Sequence, residues 1–139
     1  MIINIKNVLI TVITLVIVFN VNAKNISQNE LSRQMKSNDK LVIIDVRTVE
    51  EYSARHIPGA INIPHLQIKT RMNEILAFKD KDIVLYCRSG RRAVIAKDNL
   101  MSGGVSTLTH LEGDFNAWTA NKMPTENGSS QKLDKLITQ

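Results

Sequence analysis

The sequence predicts an α/β domain built on a parallel sheet. Three observations point to it. Two segments, Leu41-Val42-Ile43-Ile44 and Ile83-Val84-Leu85-Tyr86, are continuously apolar and mostly β-branched or aromatic. An unalternated run of that length suits a strand covered on both faces, as strands of parallel sheets are. Segments with helix start and stop signals alternate with such runs along the chain. The turns between them are short. In open sheets of this kind ligands sit beyond the carboxyl ends of the strands. The single cysteine of the chain, Cys87, falls at such an end.

The first segment is expected to lie outside the fold. Lys6 gives a positive start, and residues 8–19 form an apolar run broken only by Thr11 and Thr14. Val21-Asn22-Ala23 places small or branched residues where a signal peptidase reads. The run falls short of the ~20 residues a spanning helix needs. Residues 1–23 are therefore expected to be a signal peptide cleaved after Ala23, giving a periplasmic protein with no stable membrane association. No cysteine stands near the site to carry a lipid.

The domain is expected over residues 24–124. Ser27 and Glu30 have capping-box spacing, with Ile26 placed to staple to Leu31, so a helix runs from there to about Lys36. Asn38-Asp39 breaks it before the first buried strand. Thr48 and Glu51 form a second capping box, opening a short helix to about Arg55. Ile57-Pro58-Gly59 has turn chemistry. A short strand over 60–63 ends at Pro64, and a weak helical pattern of Leu66, Met72, Ile75 and Leu76 follows. The second buried strand covers 82–86. A helix over about 92–101 presents Ala93, Ile95, Ala96 and Leu100, and Gly103-Gly104 stops it. A strand over 105–111 and a short helix over 114–121 complete the domain, which Pro124 closes. Residues 125–139 read as a polar tail with a frayed helix near 133–137.

Composition narrows the function. The chain has 139 residues, 43% apolar and 22% charged, ordinary values for a globular protein and not for a disordered one. The net charge of +5 falls to +4 without Lys6 of residues 1–23, a mild excess that suits small anions. It is too weak and scattered to argue for nucleic acid, and the 4% aromatic content opposes a base-stacking module. A single cysteine in a chain that reads as exported cannot form an internal disulfide, which leaves reactivity or inert burial.

The neighbours of Cys87 favour reactivity. Tyr86-Cys87-Arg88-Ser89-Gly90-Arg91-Arg92-Ala93 runs from a buried strand through a polar, glycine-containing turn straight into a helix. Amides of such a turn can converge as a nest, and the helix start adds positive potential. Arg88, Arg91 and Arg92 add formal charge. All three effects favour thiolate over thiol.

Cys87-Arg88-Ser89-Gly90-Arg91-Arg92 resembles the active-site loop of rhodanese domains. Three further segments agree in order and spacing: Ile44-Asp45-Val46-Arg47 with Glu51-Tyr52, the stretch from His56 through Pro58-Gly59-Ala60 to Pro64, and Leu111-Glu112-Gly113 with Trp118. The resemblance implies a rhodanese-like three-layer fold, with a parallel sheet and helices on both faces. It also implies a thiosulfate sulfurtransferase. A donor such as thiosulfate would load a sulfur onto Cys87 as a persulfide, and a thiol or cyanide acceptor would remove it. Cys87 is then the nucleophile. The amides of Arg88, Ser89, Gly90, Arg91 and Arg92 would hold the terminal sulfur. Among the arginines, Arg92 is expected to face the pocket. No cofactor is implied. The sequence departs from the family pattern at Asp114, where glycine usually repeats, at Arg55, where glycine is common, and at Ala93, where serine is frequent.

Two other readings compete. A phosphatase or arsenate reductase has five residues between its cysteine and arginine; here four, Arg88 to Arg91, separate Cys87 from Arg92. A non-catalytic sulfur carrier or binding module on the same fold is separated only by turnover. Asp45, Arg47 and Glu51 are expected to brace the loops at strand ends. His56, His65 and His110 are isolated in sequence, without metal-ligand spacing, so no metal site is expected. Phe115 and Trp118 are spaced for one buried helix face.

Overall fold

The computed structural model describes residues 24–128. The expected signal peptide and the expected frayed helix near 133–137 lie outside the described residues. The described chain runs β1 (Lys24–Ile26), α1 (Gln28–Ser37), β2 (Leu41–Asp45), α2 (Val49–Ala54), β3 (Ile61–Asn62), a 3-10 turn (His65–Gln67), α3 (Met72–Leu76), β4 (Asp82–Tyr86), α4 (Arg91–Ser102), β5 (Leu108–Leu111) and α5 (Asp114–Ala120). Every strand pairs in parallel with its neighbours, in the order β1-β5-β4-β2-β3. β4 is thus the central strand.

The two apolar runs are buried on both faces because successive side chains of a strand point in opposite directions. Val42, Ile44, Ile83 and Leu85 face Ile75 of α3 and Ala93, Ala96 and Leu100 of α4. Ile43, Val84 and Tyr86 face Leu31 of α1, Tyr52 of α2, and Phe115 and Trp118 of α5. The result is three layers, helices over sheet over helices. Each fully buried Ile or Leu stabilises such a core by roughly 1.5–3 kcal/mol.

Local chemistry sets the ends. Thr48 Oγ1 accepts the Glu51 amide at 3.2 Å, and a Glu51 carboxylate oxygen accepts the Thr48 amide at 3.1 Å, completing the expected capping box. At α1 only half the box forms. Ser27 accepts the Glu30 amide at 3.2 Å, but the Glu30 carboxylate turns to Arg33 and Gln34.

Three details differ from the sequence expectation. β1 was not expected; its three residues are too few to show a period, and it forms by pairing with β5 at the sheet edge. The strand expected over 105–111 begins only at Leu108, because the Val105 amide instead donates to Leu100 O at 3.0 Å and finishes the stop of α4. The segment after Pro64 is divided between the 3-10 turn and the five-residue α3. Contacts continue past Pro124. Glu126 forms an antiparallel bridge with His56, its carboxylate accepts the Gly59 amide at 2.8 Å, and the Gly128 amide donates to Ser53 O at 3.0 Å.

Candidate active site

Because all strands run the same way, their carboxyl ends gather along one rim of the sheet. Cys87 follows β4 directly, at the centre of that rim. Asp45 to Arg47 lie beside it at the end of β2, and Gly113 and Asp114 at the turn from β5 into α5.

Cys87 is 1% exposed, and its Sγ accepts the Gly90 amide at 3.0 Å. Gly90 has φ +104°, a conformation that costs other residues strain, and it opens α4. The amides of Arg91, Arg92 and Ala93 belong to the first turn of α4, where no helical carbonyl is available to them. Sγ therefore sits beside the start of α4 with one backbone donor already on it.

The Cys87 backbone is fixed by the start of α5. Its amide donates to Asp114 Oδ1 at 2.8 Å, and its carbonyl accepts the Phe115 amide at 3.0 Å. The Arg88 carbonyl accepts the Asn116 amide at 3.0 Å. His110 Nε2 lies 3.0 Å from both carboxylate oxygens of Asp114.

The basic residues divide into two groups. Arg92 is committed to Glu51 by two parallel bonds of 2.5 and 2.9 Å, tying α4 to α2. The Arg92 hydrogen bond holds the Glu51 carboxyl at about 2, far below its usual 4.5. The same bond pushes the Arg92 guanidinium up. The Arg92 side chain, expected to face the pocket, is thus already paired. Arg88 and Arg91 are exposed and have no ion pair among the described residues, and Ser89 is exposed beside them.

The braces expected at the strand ends are present. Arg47 donates to Asp45 through Nε at 3.0 Å and through Nη2 at 2.6 Å, and its Nη2 also donates to Arg55 O at 2.8 Å. Burial alone would depress the Arg47 guanidinium, and the buried Asp45 carboxylate more than offsets it. The guanidinium lies 3.9 Å from the Phe115 ring centre. Burial pushes the Tyr86 hydroxyl well above its usual range, so it stays protonated while accepting the Ile57 amide at 3.1 Å.

His110 and Asp114 were missed as site residues by sequence reasoning. The one signal was the departure from glycine at Asp114. A cavity of about 670 Å³, lined by Lys24, Ser27, Glu30, Asp82 and Ser106 among others, lies at the opposite ends of the strands and includes no residue of the Cys87 loop. Among the described residues no helix is long and apolar enough to cross a membrane.

A parallel three-layer sheet with a thiol that accepts a loop amide at the end of its central strand defines a cysteine-loop α/β domain. A family model described as the rhodanese-like domain matches residues 27–121. A sulfurtransferase of Allochromatium vinosum is 35% identical over 99 residues, 71% of this chain and 91% of that protein. A chloroplastic rhodanese-like domain-containing protein of Arabidopsis thaliana is 31% identical over 93 residues, and the chain spans 51% of its length. Among solved structures, the BH2092 protein of Bacillus halodurans is similar with a TM-score of 0.68 and 27% identity, over 76% of this chain and 77% of that one. A thiosulfate sulfurtransferase of Pseudomonas aeruginosa shares the fold, with a TM-score of 0.68 and 22% identity, over 82% of this chain and 23% of that one. The chain belongs to the rhodanese-like family of sulfurtransferases and sulfur carriers.

Proposed function

We propose that this protein is a thiosulfate sulfurtransferase working through a persulfide on Cys87. The Cys87 thiolate attacks the outer sulfur of thiosulfate. A new S–S bond forms, the S–S bond of thiosulfate breaks, and sulfite leaves with the electron pair. The terminal sulfur then carries the negative charge. An acceptor thiolate or cyanide attacks it in turn, and the Cys87 thiolate is regenerated.

The observation that carries this reading is the Gly90 amide directed onto Sγ at 3.0 Å, beside the unpartnered first-turn amides of α4. A terminal sulfur is one atom with concentrated charge, and a tight ring of donors satisfies it. Arg88 and Arg91 receive the dianion and the departing sulfite by their free guanidinium groups. Ser89, Gly90 and Arg92 contribute through the backbone, with Arg92 held in register by Glu51. Export to the periplasm is part of the proposal and rests on residues 1–23 of the sequence alone. An intact mass beginning at Lys24 supports cleavage, and a retained Met1 opposes it.

Mass spectrometry after incubation with thiosulfate tests the chemistry. The protein should gain one sulfur, about 32 Da, removable by cyanide or a reducing thiol. Cys87→Ser should abolish both the adduct and turnover. Repeated turnover distinguishes an enzyme from a carrier that loads once. Cleavage of aryl phosphates with no sulfur uptake would overturn the reading.

A further inference from the structure

We infer that Asp114 is a positioning residue for Cys87, supported from behind by His110. The inference rests on the sulfurtransferase reading of the Cys87 site and deepens it. Asp114 is only 3% exposed, and a buried carboxylate is costly unless its oxygens are satisfied. Among the described residues its partners are the Cys87 amide at 2.8 Å and His110 Nε2 at 3.0 Å. A carboxylate only accepts, so His110 Nε2 carries the proton of that bond.

The place of this pair in the loop gives it a task. A Cβ on Gly90 would lie 3.1 Å from Asp114 Oδ2 and 3.6 Å from His110 Cε1, so the pair forms the floor beneath the residue whose amide reaches Sγ. Cys87 is gripped at its amide by the Asp114 side chain and at its carbonyl by the Phe115 amide. With both sides of the residue pinned, the Cα–Cβ direction is set, and with it the line along which sulfur is exchanged. Misplacing a nucleophile by ~1 Å can cost up to about a hundredfold in rate. Asp114 adopts φ +53°, a left-handed conformation that Asp and Asn tolerate better than most residues. The chain thus accepts a mildly unfavourable backbone at the one position from which this carboxylate reaches the Cys87 amide.

Two substitutions separate positioning from mere stability. Asp114→Asn keeps the left-handed backbone and an oxygen for the Cys87 amide. Asp114→Gly keeps the backbone and removes the acceptor. Thiosulfate turnover, the rate of Cys87 alkylation by iodoacetamide at one fixed pH, and thermal melting are measured on each. D114N should stay within about threefold of wild type in kcat, and D114G should lose about tenfold in kcat with KM little changed. The alkylation rate should shift for D114G and not for D114N. If D114G does not fold, Asp114→Ser, which draws the oxygen back from the amide, replaces it with the same expectation. Wild-type kcat and alkylation in D114G, or an equal fall in D114N and D114G, would overturn the inference. If the wild type takes no sulfur from thiosulfate, the sulfurtransferase reading fails separately, and the alkylation comparison still decides whether Asp114 positions Cys87.

Discussion

Glu51 joins two jobs in one carboxylate: it closes the cap of α2 and clamps Arg92 of the Cys87 loop. Its folded pKa of about 2 against an ordinary 4.5 fixes the sign of its effect. A depressed carboxylate adds stability that is complete above the unfolded value and is lost as pH falls through the folded one. The contribution should therefore be full above pH 4.5 and vanish toward pH 2. Melting curves over that window should show a slope that Glu51→Gln flattens, and an unchanged slope would mean that the clamp is not formed in solution. Arg92→Ala should lower stability by no more than about 1 kcal/mol, because the pair is partly solvated. Arg91→Ala should instead raise KM for thiosulfate with little change in melting. The reverse pattern would return Arg92 to the role of anion receptor. Cys87 was legible because its loop is contiguous in sequence. The Asp114 contact was not, because it joins residues 27 apart, and neither was the Arg92 clamp, which joins residues 41 apart.

At the level of elements, legibility followed burial and capping. β2 and β4 were readable because both faces are covered, and α2 because its box is complete in sequence and in space. β1 has no such signature: only Ile26 of its three residues is buried, and its partner strand lies at the far end of the chain. The α3 region was weakly readable because its first residues form a 3-10 turn with Leu66 exposed to solvent. The turn from β4 into α4 is the element most sensitive to change. Gly90→Ala combines a left-handed φ with a Cβ 3.1 Å from Asp114 Oδ2. It should cost about 1–3 kcal/mol and reduce sulfur loading more than any change on the exposed face of α4. A G90A protein with wild-type loading would show that the loop is not held as tightly as its hydrogen bonds indicate.

For the whole molecule, the layered sheet brings all five strand ends to one rim, and the segment after α5 wraps back to fasten the turn behind it. Glu126 accepts the Gly59 amide and contacts buried His56, which stacks on Tyr52 with ring centres 3.7 Å apart. Glu126→Ala should lower the melting temperature while leaving sulfur uptake intact, since the side-chain hydrogen bonds of Glu126 go to His56 and Gly59. Loss of uptake at full stability would place the strap within the site. The edge pairing of β1 with β5 has a kinetic consequence. Lys24 stands opposite Thr109, so the first strand of the domain pairs with the last. A chain emerging from its N-terminus carries an unmatched strand until nearly the whole domain is available, and no local hairpin shortens the wait. Closing so distant a contact slows folding. Until β5 is made, β1 is an unpaired edge open to pairing with any extended segment it meets.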